Sequence, residues 1–154
     1  MDTISEVLKL GVVGLLSGLF SAYIALRGHR NKKWWELRVS AYQSLIEALS
    51  DLSYYYGKKF VAEIESRKLN TEYEKQLKVF WNESYHRVRK AADVGSFLFS
   101  DEVNSVLKEF KALENKNHES YFEYINSHSG TVDKCLKTVV SSAKRDLKIG
   151  SSWL

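Results

Sequence analysis

The chain has 154 residues, no proline and a single cysteine, and its 23 Lys and Arg against 19 Asp and Glu give a formal net charge of +4. This length suits one domain, the lack of proline permits long uninterrupted helices, and a single cysteine excludes a disulfide framework and a thiolate zinc site. The mild positive charge suits an anionic membrane surface or a phosphate-bearing ligand.

The first predicted element is a transmembrane helix over residues 10–26, which read LGVVGLLSGLFSAYIAL and carry no formal charge. As a helix this run is about 26 Å long, and Val7 and Leu8 lengthen it to about twenty residues if Lys9 reaches the interface. A buried helix of a soluble protein and a cleaved signal peptide are the alternatives. The first is disfavoured because no comparable apolar run exists elsewhere, and the second because the start, MDTISE, is acidic.

Charge around this segment predicts its orientation in the membrane. Two acids and one lysine precede it, whereas Arg27, Arg30, Lys32 and Lys33 follow it, with Trp34 and Trp35 beside them. Positive residues stay cytoplasmic and tryptophans favour the interface, so these six residues are expected at the membrane surface. We therefore expect a single-pass inner-membrane protein, with residues 1–27 as outward N-terminus and span and residues 28–154 as a cytoplasmic domain.

One side of the predicted span carries only small residues. On a helical projection an arc of roughly 140° holds Gly11, Gly14, Ser17, Gly18, Ser21, Ala22 and Ala25. Small residues let helix backbones approach closely in lipid, so this face predicts a homo-oligomer. Chance composition is the alternative, since glycine is common in spans. Whether Ser17 and Ser21 bond across helices or line a narrow wet path stays open.

The rest of the chain predicts four amphipathic helices joined by short connections. They are expected over 32–67, 71–99, 100–125 with Ser100 as N-cap, and 131–147 with Thr131 as N-cap after a break at Ser129-Gly130. The first helix has no strong breaker before it and is expected to continue from the span. The predicted fold is therefore all-α, an N-terminal single transmembrane helix followed by an elongated cytoplasmic four-helix bundle.

Sequence motifs give no indication of catalysis. The chain lacks a zinc-protease motif, a nucleophile elbow and a glycine-rich phosphate loop. Its four histidines, His29, His86, His118 and His128, lack metal-ligand spacing, and Cys135 lies on an apolar stripe as a small hydrophobic residue. We therefore expect no enzyme, no cofactor and no metal.

Two basic clusters beyond the span predict an anionic ligand. They consist of Lys58 and Lys59 after three tyrosines, and of His86, Arg87, Arg89 and Lys90 after Trp81 and Tyr85. Such pairs of cations and rings can bind phosphates while the rings stack on bases. The alternative is an ordinary solvated helix face. In a symmetric oligomer either cluster would be repeated around the axis, which strengthens a weak site.

Three stretches resemble small single-span bacterial membrane proteins that have helical cytoplasmic domains. They are KKWWELRVSAYQSLIEALSDL after the span, GSFLFSDEV in mid-chain and AKRDLKIG near the end. Within that group the layout is similar to the membrane effectors of the Hailong anti-phage defence system. This resemblance implies a homotetrameric channel held shut by a single-stranded DNA oligomer, which a partner nucleotidyltransferase makes. It is architectural and transfers no binding residue.

These features favour an oligomeric membrane effector whose cytoplasmic bundle controls ion leakage. A ligand can exert such control only if it binds one packing of the bundle better than another. A passive membrane-anchored adaptor that recruits a cytosolic protein shares the span and the bundle but requires no ion path. A component of phage or plasmid morphogenesis is a third alternative. Conductance in reconstituted bilayers separates the first two.

Overall fold

A computed structural model describes the backbone of residues 2–147 and the side chains of residues 31–147. Its elements are α1 (Asp2–Ile64), α2 (Thr71–Val94), α3 (Asp101–Ala112) and α4 (Tyr121–Asp146), with 3-10 turns at Gly95–Phe97 and Leu113–Asn115. No strand occurs between residues 2 and 147, so the predicted all-α class is confirmed.

The chain divides into two compact units, Met1–Leu37 and Arg38–Leu154. The predicted boundary, between residues 27 and 28, falls within the first unit. Among the residues described in full, 31–147, no helix is both long and apolar enough to cross a membrane. The predicted span, residues 10–26, lies outside the residues whose side chains are described.

The helices of the second unit run antiparallel to their neighbours. Lys59 bonds Glu74 and Asp51 accepts from Ser84, so residue numbers fall along α1 as they rise along α2. Ser53 on α1 donates to Asp133 on α4. Helix α3 likewise runs against α2 and α4, as the pairs Lys111–Asp93 and Lys134–Glu109 indicate. The unit is thus an up-down bundle in which α1 contacts both α2 and α4.

Apolar side chains at three- and four-residue steps form the core of this bundle. The largest fully buried ones are Tyr42, Tyr56, Phe110, Leu45, Leu49, Leu52, Leu107, Ile125, Val88, Val103, Val132 and Val139. Full burial of a large apolar side chain contributes about 1.5–3 kcal/mol to the free energy of folding. The sequence of these helices shows no two-residue alternation that would favour strands instead. Packing of these stripes therefore fixes the bundle.

The predicted boundary between the third and fourth helices is wrong. Helix α3 ends at Ala112 and α4 begins at Tyr121, so Gly130 lies inside a helix and Thr131 is not a cap. Ser120 caps α4 instead: its Oγ accepts a hydrogen bond from the Glu123 amide at 3.1 Å. A cap contributes about 1 kcal/mol, similar to the cost of a helical glycine, and the buried stripe of α4 continues on both sides of Gly130.

Two other helix ends differ from the prediction. Helix α1 ends at Ile64 instead of residue 67, because Ser66 adopts a left-handed conformation with φ of 50°. Helix α2 ends at Val94, where Gly95 begins a 3-10 turn that buries Phe99. A Cβ on Gly95 would collide with the Phe99 ring, so the turn requires glycine there. Ser100 does precede α3, although its hydroxyl makes no capping bond.

Candidate functional site

The predicted membrane-facing residues are only partly described. Lys32, Lys33, Trp34 and Trp35 are exposed. The residues whose side chains lie outside the described part are Arg27 and Arg30 of the interface set and Gly11, Gly14, Ser17, Gly18, Ser21, Ala22 and Ala25 of the small-residue face. The interface and the oligomerisation face therefore stay predictions.

The six predicted ligand-binding residues do not form one cluster, and the first two lie toward the end of α1. Lys58 Nζ is 5.3 Å from the centre of the Tyr54 ring. Lys59 Nζ donates to Glu74 Oε1 at 2.6 Å, which holds the pKa of that carboxyl below its usual value. Lys59 is thus already paired within the bundle.

Arg87 and Lys90 lie together beside a cavity between α1 and α2. The cavity has a volume of about 340 Å³ and a mainly apolar lining that includes Leu45, Leu98 and Phe99. Arg87 donates to the Ser44 carbonyl and hydroxyl and to Glu47 Oε2 at 3.2–3.3 Å. Lys90 is exposed and makes no ion pair with the side chains of residues 31–147. The cavity therefore has two cations at its edge, of which Arg87 is paired with Glu47 and Lys90 is unpaired within residues 31–147. The neighbouring His86 is exposed.

Arg89 lies on another face of α2, at the edge of a second cavity of about 360 Å³. We call this second cavity the aromatic-histidine cavity. It is lined by Trp81, Tyr85, Arg89, Leu113, Glu114, Lys116, His118, Tyr124 and His128. The basic run 86–90 therefore splits between two cavities.

Flat rings form the walls of the aromatic-histidine cavity. Trp81 and Tyr85 are stacked, with centroids 4.9 Å apart and an interplanar angle of 27°. On α4, the ring centroids of Tyr124 and His128 are 4.1 Å apart. Each pair is four residues apart on one helix and so shares one face. Together they give the cavity two aromatic sides.

Hydrogen bonds hold these rings in place and bring charge to the edge of the cavity. Trp81 Nε1 donates to Tyr56 Oη at 3.0 Å, and Tyr85 Oη donates to Glu114 Oε1 at 2.8 Å. Burial raises the pKa of Tyr56, and burial with the Glu114 carboxylate raises the pKa of Tyr85. Both phenols therefore stay protonated near neutral pH, where Tyr56 Oη accepts from Trp81 and Tyr85 Oη donates to Glu114.

The two histidines of the cavity differ in their bonding. His128 Nδ1 lies 2.9 Å from the Tyr124 carbonyl, and burial lowers its pKa, which favours the neutral ring. His118 has 8% of its side chain exposed, yet both ring nitrogens are buried without a hydrogen-bond partner. Its Nδ1 lies 3.8 Å from the Glu123 Oε1, which is too long for a hydrogen bond. An unbonded buried imidazole is costly, since each lost hydrogen bond costs about 1–3 kcal/mol.

The sequence prediction missed His118 and His128 because it tested histidines only for metal spacing. Within residues 31–147 no three His, Cys, Asp or Glu side chains are grouped so that they could hold a metal ion. The i, i+4 pairs Trp81–Tyr85 and Tyr124–His128 were the available signal.

No protein-family model matches the chain, and no curated protein and no solved structure matches it either.

Proposed function

We propose that this protein is a homo-oligomeric membrane effector, an anti-phage defence protein that conducts ions or disrupts the membrane. In this proposal the cytoplasmic bundle controls the assembly by binding an anionic ligand, a nucleotide or a single-stranded DNA oligomer. By the resemblance described above, the assembly is a tetramer and the ligand comes from a partner nucleotidyltransferase encoded nearby.

The observation that carries this proposal is the uncharged run 10–26 with its small-residue face. A membrane helix that places glycine, serine and alanine on one face is suited to close packing against copies of itself. The same helix, α1, contains this run and the first stripe of the bundle core, Leu45, Leu49 and Leu52.

The ligand-dependent part of the proposal is supported by the two cavities. Each is of a size that holds small molecules, and each has cations at its edge, Arg87 and Lys90 in one and Arg89 and Lys116 in the other. A ligand that fits one packing of the bundle better than another shifts the population toward that packing.

The test is a pair of double variants in the predicted span. Gly14→Leu with Gly18→Leu changes the small face, and Val13→Leu with Leu16→Ile is the control on the opposite face. We expect the first variant to reduce crosslinked oligomers in native lipid and to remove toxicity on overexpression, while the control keeps both. Unchanged oligomer size in the first variant, at equal expression in the membrane fraction, contradicts the proposal.

A membrane-anchored adaptor is the alternative, and an exposed apolar strip favours it. Val79 is 61% exposed on α2, Phe80 lies beside it, and Tyr54 of α1 packs edge-on against Phe80 at 6.4 Å. Conductance of the purified full-length protein in planar bilayers separates the two functions. The effector gives current that the Gly14/Gly18 variant loses, whereas the adaptor gives none.

A further inference from the structure

We propose that the cavity between α1 and α2, the α1/α2 cavity, is a binding site for a single-chain anionic amphiphile. Such a molecule has one apolar chain and one negatively charged head group, as a fatty acid does. This ligand class goes beyond the nucleotide or oligonucleotide of the proposed function. The proposal depends only on residues of the bundle and not on the predicted span.

The space in the α1/α2 cavity exists because small residues line it on both helices. Ala41 and Ser44 lie on α1, and Ala91 lies on α2, where Gly95 follows at the start of the 3-10 turn. None of these side chains is long enough to fill the space between the helices. The resulting volume of about 340 Å³ is at the lower end of the range for small-molecule pockets. It suits one alkyl chain better than the two chains of a membrane phospholipid.

The lining offers apolar surface but no free ring face. Leu45 and Leu98 contribute to it, and the lining residue Val94 is 55% exposed, so an alkyl chain laid there removes apolar surface from water. Phe99 is the only aromatic side chain among the described lining residues. Its ring is buried and packs edge-on against Tyr42, with centroids 5.0 Å apart. A nucleic-acid base therefore has nothing to stack on here, whereas an alkyl chain requires no ring.

Charge at one end of the cavity selects the head group. Arg87 reaches from α2 to α1, where its Nη2 lies 3.2 Å from Glu47 Oε2, so this pair has no net charge. Lys90 lies one turn further along α2 and forms no ion pair with the side chains of residues 31–147. One positive charge is thus left uncompensated among these three residues. It favours a head group with a single negative charge and disfavours an ammonium group.

The other end of the cavity carries no such excess charge. Leu98 lies there, and its carbonyl accepts from Arg38 Nε at 2.9 Å. Arg38 is paired with Asp146, with Nη2 and Oδ2 3.3 Å apart. Because Arg38 precedes Ser44 by six residues, the two ends are about 9 Å apart along α1. A ligand with its head group at Lys90 and its chain toward Leu98 matches both ends.

The test is photo-crosslinking of the full-length protein in phosphatidylcholine nanodiscs. The probe is dodecanoic acid with a diazirine in its chain. The matching alcohol and the matching amine are the head-group controls, and phosphatidylglycerol with the same diazirine in one chain tests a membrane phospholipid as the source. Mass spectrometry measures labelling of residues 41–45 and 91–99. We expect the acid to label them at least about fivefold more than each of the other three at equal mole fraction, because only the acid has both one chain and one negative charge.

Two variants locate the labelling. Ala41→Leu fills the cavity and should reduce labelling by the acid at least about fivefold. Ser40→Leu adds the same side chain at an exposed position of α1 and should not reduce it. Lys90→Gln, on the surface, should also reduce labelling at least about fivefold, because it removes the uncompensated charge. Its control is Lys78→Gln, an exposed lysine of α2 outside the cavity, which should label as wild type does.

Equal labelling by the acid and the alcohol overturns the proposal, as does labelling by phosphatidylglycerol that equals or exceeds labelling by the acid. So does unchanged labelling in Lys90→Gln, or in Ala41→Leu that is folded by circular dichroism. These measurements do not depend on oligomer size, toxicity or nucleotide binding. Failure of this site and failure of the membrane-effector function are therefore distinguishable.

Discussion

Tyr42 on α1 donates its phenolic hydrogen to Asp146 Oδ2, on the last residue of α4. The same carboxylate oxygen lies 3.3 Å from Arg38 Nη2, and Arg38 Nε donates to the Leu98 carbonyl at 2.9 Å. Burial and the bond to Asp146 raise the pKa of Tyr42, so it stays a donor at neutral pH. One carboxylate thus connects α1 to the end of α4, at the end of the bundle where α2 also finishes.

Replacing this carboxylate should destabilise the bundle. Asp146→Ala leaves the Tyr42 hydroxyl and the Arg38 guanidinium without their shared acceptor, and we expect a loss of about 2 kcal/mol in the free energy of unfolding. Denaturant unfolding followed by circular dichroism measures it. Glu83 is an exposed acid of α2 that makes no side-chain hydrogen bond or ion pair within residues 31–147, so Glu83→Ala is the control and should stay within about 0.5 kcal/mol of wild type.

Gly130 offers a stabilising substitution within α4. It lies in the helix interior, it is exposed, and a Cβ there would meet nothing within 4 Å. Gly130→Ala should therefore raise the free energy of unfolding by about 0.5–1 kcal/mol, because alanine loses less backbone entropy on folding. Gly95→Ala is the opposite case, since its Cβ would collide with the Phe99 ring, and it should lower Tm. A destabilised Gly130→Ala protein would contradict helical structure at this position.

The sequence was sufficient for the class and the core but not for every helix boundary. The stripe of Leu45, Leu49 and Leu52 follows directly from the 3.6-residue period of an amphipathic helix, and all three residues are buried. The Ser129-Gly130 pair was misread because local propensity was weighed without the tertiary contacts of Ile125 and Val132. Burial on both sides of a glycine outweighs its cost of about 1 kcal/mol.

Cys135 should be almost inert in the folded protein. Its side chain is buried, its Sγ donates to the Val106 carbonyl at 3.3 Å, and burial raises the pKa of the thiol to about 12. The thiolate is the reactive form, so at pH 8 we expect alkylation by iodoacetamide at least about a thousand times slower than for a free cysteine. The control is Cys135→Ser with Ser141→Cys, which moves the thiol to an exposed position of α4 and should react rapidly.

His128 should make the stability of the bundle fall in mild acid. Burial, opposed by its bond to the Tyr124 carbonyl, lowers its pKa from the ordinary value of 6.5. Below pH 6.5 the unfolded chain binds a proton that the folded chain does not, so the free energy of unfolding decreases as pH falls. Between pH 7.5 and 5.5 the decrease should be smaller in His128→Phe than in wild type. His86→Gln, an exposed control, should follow wild type.

The site was less predictable than the fold, because cavities depend on which helices become neighbours. The run 86–90 is continuous in sequence, yet Arg87 and Arg89 point to different cavities, since alternate residues of a helix lie about 200° apart. The pairing of Arg87 with Glu47 and of Lys59 with Glu74 also required the tertiary structure. Within this run Arg87 and Arg89 form ion pairs, whereas Lys90 forms none with the side chains of residues 31–147.

Arg87 and Lys90 provide the sharpest test of the α1/α2 cavity as an anion site. Arg87→Glu with Lys90→Glu should weaken binding of a fluorescein-labelled single-stranded oligonucleotide about tenfold or more at 50 mM salt. Loss of two phosphate contacts should also reduce the slope of log affinity against log salt by about 1.4, because each contact contributes about 0.7 for single strands. Fluorescence anisotropy of the full-length protein in detergent measures both quantities.

The matched control is Lys137→Glu with Lys144→Glu, two exposed lysines of α4 that form no ion pair with the side chains of residues 31–147. Both double variants lower the formal charge of +4 by four, so a general electrostatic effect would change them equally. A specific site at the cavity weakens binding only in the Arg87/Lys90 variant. Equal losses would assign the interaction to the overall charge of the protein, and unchanged binding in both would remove the cavity as a site for this ligand.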